Sequence, residues 1–321
     1  MSDVAALEDR LLAGDRRALA RLLTLVEDGA VDVQREVVAR LHPRAGRARL
    51  IGITGSPGVG KSSVSSALVA TLRTRGRQVA VLAVDPSSPL TGGALLGDRI
   101  RMQAHHGDEG VFVRSMAARG HLGGLAAAVP AAALVLDAAG FDDVVLETVG
   151  VGQSEVDVAA MADTTLVVLA PGLGDGVQAA KAGILEVADV LVVNKADLPG
   201  AGRLESELRG MLELGHAVAI MPDVTWMPPI LRTVAVRGEG MDVLCDAIGA
   251  HGAAHADAGG ERRARARARR WIVELAAGRV RDVLTAPGGA LDDRLEVLTG
   301  EVVARSLDPA SAAERLIEGL R

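Results

Sequence analysis

A chain of 321 residues with 49% apolar and 24% charged residues has the balance of a globular protein, built on one large domain with attachments or on two domains. A formal net charge of −6 and the absence of tyrosine, with only two phenylalanines and two tryptophans, exclude a basic or aromatic platform for nucleic acid. The single cysteine, Cys245, excludes an internal disulfide framework and a cysteine-rich zinc site, and no apolar run approaches the ~20 residues of a membrane span, so a cytoplasmic protein is expected.

Residues 1–45 are predicted to form a helical N-terminal extension. Leu11, Leu12, Leu19, Leu22, Leu23 and Val26 recur at helical spacing, with Gly29 and Pro43 as breaks. From Arg49 the pattern changes to short apolar runs: LIGIT, QVAVLAVD, VFVRS, DDVVLET, TTLVVLA, DVLVVNK and LRTVAV. Unbroken Val/Ile/Leu runs indicate strands buried on both faces. Helical stretches over 61–75, 123–139, 153–162 and 176–187 separate several of them. Residues 46–250 are therefore expected to be an α/β domain, a mainly parallel sheet flanked by helices, with ligands beyond the carboxyl ends of its strands. The small-residue segment 249–261 reads as a linker. The Arg-dense run at 262–270 reads as a solvated helix face, within a helical arm over 251–321. That arm is too small to make its own core and is expected to pack on a partner chain or back on the main domain.

Only three of the 35 basic residues are lysine: Lys61, Lys181 and Lys195. Lys61 lies in GSPGVGKSS, where Gly55, Gly60, Lys61 and Ser62 have the spacing G-x-x-x-x-G-K-S after a buried strand and before a helix. Such a loop, here Gly55, Ser56, Pro57, Gly58, Val59, Gly60, Lys61, Ser62 and Ser63, curls backbone N–H groups around phosphates. Lys61 supplies a point charge to the β/γ-phosphates, and Ser62 a hydroxyl to Mg²⁺. The expected ligand is a nucleoside triphosphate.

Asn194, Lys195 and Asp197 follow another buried strand, 133 residues beyond Lys61 at the first of them. A carboxylate at 197 can accept from guanine N1–H and the exocyclic amine, donors that adenine does not offer at those positions. The Lys195 stem can cover the base, Asn194 can brace neighbouring loops, and the Ala235 N–H in TVAVRGEG can reach guanine O6. The expected nucleotide is GTP, with GDP as its product. Three carboxylates at strand ends or in the following loops, Asp85, Asp98 and Glu147, are candidates for Mg²⁺ and the attacking water. The Gly150 N–H can sense the γ-phosphate.

These stretches, together with VDPSSPLTGG, RGHLGGLA, ETVGVGQSE and GDGVQAAKAG, resemble the MeaB/ArgK-type GTPases that chaperone adenosylcobalamin-dependent methylmalonyl-CoA mutase. The resemblance runs from about residue 50 to 245. It implies a homodimeric P-loop GTPase of the signal-recognition/MinD-like class that gates cobalamin delivery to the mutase and protects that enzyme. It also implies roles for Lys61, Asp98 and Glu147 in catalysis, and for Asp85, Asp98 and Glu147 around Mg²⁺ and the γ-phosphate. Gly174, Asp175, Gln178 and Lys181 fall in what looks like the family's extra switch loop toward the partner. There the chain departs from the family pattern, with Gly176-Val177 and a single lysine followed by Ala182. Two other readings are a kinase of a transport protein and a metal-delivery GTPase. Asp197 speaks against the first. The adjacency of His105 and His106 is poor spacing for a metal site, which speaks against the second.

Overall fold

Each of the seven apolar runs forms a strand. The computed structural model describes residues 3–86, 105, 107–118, 128–148, 161–172, 187–217, 226–255, 258–285, 288–289 and 291–319. The strands are β1 (Arg49–Thr54), β2 (Val79–Pro86), β3 (Val111–Ala118), β4 (Asp143–Thr148), β5 (Thr164–Leu169), β6 (Val190–Val193) and β7 (Ile230–Arg232). They make one sheet in the order β3-β2-β4-β1-β5-β6-β7, with all neighbours parallel. Parallel strands need crossovers and covered faces, which is why β5 and β6 are apolar at nearly every position and wholly buried.

The helices are α1 (Asp3–Leu12), α2 (Arg16–Asp28), α3 (Val31–Leu41), α4 (Lys61–Thr74), α5 (Ala128–Ala138), α6 (Ala201–Ala217), α7 (Met241–Ala254), α8 (Ala258–Thr285), α9 (Asp292–Val303) and α10 (Pro309–Glu318). On one face of the sheet, Val64, Leu68 and Leu72 of α4 and Leu244 and Ile248 of α7 pack over Ile51, Ile53, Val81, Leu166 and Val192. Elsewhere, α6 sets Leu204 and Leu208 against Val167, Leu169, Leu191 and Val193. The N-terminal helices α2 and α3 pack on α5. Leu12, expected on the buried stripe, is 41% exposed because Gly14 breaks the helix with a positive φ and α2 starts a new register.

The predicted strand LRTVAV is shorter than expected. After Arg232 the Thr233 N–H still donates to Val193 O at 3.0 Å, but Val234 N then turns to Glu239 O and Ala235 N to Asn194 Oδ1, which ends the ladder. The predicted helices over 153–162 and 176–187 fall almost entirely outside the described residues.

The chain divides into two compact units, 1–262 and 263–321. In the second, α9 packs on α10, and Arg294 donates to the carbonyl of Arg315. Arg265, Arg269 and Arg270 of α8 are exposed, and so are its apolar Ile272, Val273 and Val280. No helix of the described residues is long and apolar enough to cross a membrane.

Candidate functional site

The central strand β1 leads at its carboxyl end into the loop 55–60, and α4 starts at Lys61. Gly55 has φ +138°, and a Cβ there would overlap the carbonyl oxygen of Val168 in β5. Gly60 has φ +96°, and a Cβ would lie 2.5 Å from Asn194 Nδ2. Both glycines are thus required by close approach as well as by backbone conformation. Gly60 caps α4 and no side chain caps it, among the described residues, so the first N–H groups of the helix and their partial positive charge face the loop. Val59 anchors the loop by burying its side chain in the core under α4.

Lys61 is 7% exposed, and its Nζ donates to the carbonyls of Gly55 and Ser56. Ser62 and Ser63 follow in the first turn, partly exposed. Glu147, buried near the end of β4, is paired in register with Ile53 of β1 and Ala83 of β2. Its carboxylate therefore belongs to the strand between the loop-bearing β1 and β2, the strand that carries Asp85. Oxygen ligands of this kind, with a serine hydroxyl, suit a hard cation such as Mg²⁺, which binds one or two carboxylates together with phosphates. Among the described residues no group of three or more His, Cys, Asp or Glu is assembled to hold a metal ion. His105 Nε2 lies 3.0 Å from Ser66 Oγ.

The base-reading segments lie after β6 and β7. Asn194 ties three loops together. Its Nδ2 donates to Val59 O at 2.9 Å, and its Oδ1 accepts from Thr233 Oγ1 and from Ala235 N, each at 3.2 Å. The Ala235 N–H, the expected donor to guanine O6, is directed in this structure at Asn194. Lys195 is a non-glycine residue at φ +56°, a conformation that costs roughly 1–2 kcal/mol and persists only where surroundings enforce it. Its Nζ donates to Gly58 O at 2.8 Å, and the next N–H, of Ala196, donates to Thr233 O at 3.1 Å. The left-handed turn points the lysine back over the phosphate loop and leaves Asp197 on the half-exposed rim.

The structure thus brings together residues 55–63, Asn194, Lys195 and Ala235, with Asp197 beside them and Glu147 on the neighbouring strand. Asp98, Gly150, Gly174, Asp175, Gln178 and Lys181 lie outside the described residues, as does the Asp85 side chain. Sequence reasoning missed Thr233 and Arg237. Arg237 Nη1 is 3.2 Å from Asp197 Oδ2, and its Nε is 2.7 Å from Glu239 Oε1. The alternating charges of Arg237 and Glu239 in RGEG were the available signal.

Comparisons with known proteins bear on the family and the fold. The family model described as Methylmalonyl Co-A mutase-associated GTPase MeaB matches residues 19–288. A GTPase of Pyrococcus horikoshii is 44% identical over 320 residues, 99% of this chain and 98% of the relative. The GTPase ArgK of Escherichia coli is 39% identical over 243 residues, 74% of this chain and 73% of the relative. Among solved structures, one described as a LAO/AO transport system kinase superposes with a TM-score of 0.71 at 26% identity, covering 100% of this chain and 99% of that one.

Proposed function

The chain belongs to the MeaB family of GTPases, and from that premise we propose that its GTP cycle gates cofactor loading and protection of an adenosylcobalamin-dependent acyl-CoA mutase, methylmalonyl-CoA mutase being the first candidate. The observation that carries the nucleotide part is Asn194, one side chain bonded to the phosphate loop and to both base-reading loops. Phosphate and base are then read by a single connected unit. The family description carries the partner part.

In this reading the triphosphate lies on the N–H groups of 55–60 and the start of α4, where the helix field favours anions. Lys61 leaves its two loop carbonyls for the β/γ-phosphates. Asp197 accepts from guanine N1–H and the 2-amino group, and the Lys195 stem covers the ring. Mg²⁺, when bound, offsets charge on the β/γ-oxygens; Ser62 and Glu147, with Asp85 and Asp98, are the residues that would hold it. Glu147 also orients water toward the γ-phosphate, and Gly150 with the 174–181 loop reports the phosphate to the partner. No arginine finger or committed water-positioning glutamine is evident in the sequence, so intrinsic turnover is expected to be slow. The exposed apolar residues of α8 are proposed to serve a homodimer, acting in the cytosol.

The test is GTP turnover and cobalamin loading with and without purified mutase. Acceleration of turnover and GTP-dependent loading are expected. If both are indifferent to the mutase, the chaperone role is wrong.

A further inference from the structure

Asp197 selects guanine in the proposed function, and the role assigned to Arg237 rests on that reading. An aspartate on an exposed rim can rotate, and a rotating carboxylate presents two acceptors in register with a base edge only part of the time. Here it is held. Arg237 reaches Asp197 Oδ2 with Nη1 at 3.2 Å, while its Nε and Nη2 grip Glu239 Oε1 and Oε2 at 2.7 and 3.4 Å. The backbone that carries both Arg237 and Glu239 is fixed as well, because Arg237 N donates to Val234 O at 2.9 Å and Val234 N donates to Glu239 O at 3.1 Å. The neighbouring cation is engaged elsewhere, since Lys195 Nζ is on Gly58 O.

We infer that Arg237 is a positioning residue for guanine selection: it fixes the Asp197 carboxylate so that both guanine donors are met at once, and it thereby sets discrimination for the 2-amino group. The stereochemistry allows both functions together. A carboxylate has about four lone-pair sites and Arg237 occupies one of them, leaving acceptors for N1–H and the amine. Arginine suits the task because its planar fork can hold Glu239 and Asp197 in one geometry, which a lysine ammonium cannot. Val236, between Ala235 and Arg237, is 82% exposed and offers an apolar surface on the same loop to a base.

Arg237 and Asp197 are 50% and 38% exposed, so the pair contributes little to folding and the variant Arg237→Met is expected to fold. The measurement is affinity for GTP and for inosine triphosphate, which keeps N1–H and lacks the 2-amino group. Arg237→Met is expected to weaken GTP by about two- to tenfold, the cost of immobilising one side chain on binding. Inosine triphosphate, which needs only one of the two acceptors in place, should lose less, so the GTP-to-inosine ratio falls. Arg237→Lys should recover only part of the ratio. In an Asp197→Asn background, Arg237→Met should add no further loss. A merely structural role would weaken both nucleotides equally, and an unchanged ratio in a wild type that prefers GTP over ATP would overturn the inference alone. A wild type indifferent to GTP and ATP would instead sink the base reading beneath it.

Discussion

The amino and carboxyl edges of the one sheet are built by opposite rules. At the amino edge, buried carboxylates are enclosed by partners. Asp143, fully buried, bridges Arg49 and Arg77. Asp137 accepts from the N–H groups of Gly46, Arg47 and Ala48, which seats the N-terminal helices before β1. Asp189 accepts from Thr165 N and faces His251 Nε2 at 3.1 Å, and His251 Nδ1 meets Thr164 Oγ1 at 2.8 Å. At the carboxyl edge, polar groups face the loops: a helix start that no described side chain caps, a lysine folded onto carbonyls, a strained Lys195 and a rim carboxylate. Thr54 Oγ1, at the last residue of β1, is buried with no hydrogen-bond partner among the described residues. One edge uses its charges to hold the fold; the other sets them at the loops where a nucleotide is proposed to bind.

Substitution can break that contrast, and the largest expected effect is at the amino edge. Asp143→Ala removes the anion between two arginines and should lower unfolding free energy by about 3 kcal/mol, the low end for a buried pair whose partners reach solvent. Denaturant melts should show this while GTP affinity of the folded fraction stays unchanged. Lys61→Arg should do the reverse, keeping the melt and reducing GTP hydrolysis about 100-fold, because a planar guanidinium cannot replace a compact ammonium. Equal turnover would remove Lys61 from the phosphate site.

Asn194→Ala sits between these extremes. It should lower stability by about 1–3 kcal/mol through the acceptors and donors left behind, and it should weaken GTP as well, since it joins the loops. A loss confined to stability would mean that Asn194 is only a core brace. Cys245 sharpens the comparison from within the core. Burial pushes its thiol up to about 11, so at pH 7 a thiol reagent should label it only after unfolding.

The smallest effect concerns Asp108, held below its ordinary 3.8 first by Arg73 and then by the Gly110 N–H. A depressed carboxylate contributes stability above its unfolded value and loses it as pH falls through the folded value. The stability gap between wild type and Asp108→Asn should therefore narrow below pH 3.8, as acid melts would reveal.

The inner strands were legible because doubly covered parallel strands need unbroken Val, Ile and Leu, and the loop and helix start over 55–62 because the glycines, lysine and serine stand at a fixed spacing. Asn194, Lys195 and Asp197 were legible from their order after β6. What could not be read were contacts that depend on register and on loops meeting in space. Arg237 and Asp197 are 40 positions apart and Asp143 and Arg49 are 94 apart, and nothing local marks either pair. The early end of β7 was hidden for the same reason, since it depends on Val234 pairing with Glu239 and on the Ala235 N–H meeting Asn194.

The most direct measurement is calorimetric titration of the wild type and Asp197→Asn with GTP, xanthosine triphosphate and ATP. The wild type should prefer GTP to ATP by at least about 100-fold, and the variant should turn to xanthosine triphosphate with its melt unaltered. Equal binding of ATP and GTP by the wild type, or a variant that keeps the original preference, would contradict the assignment of the carboxyl edge as a guanine nucleotide site.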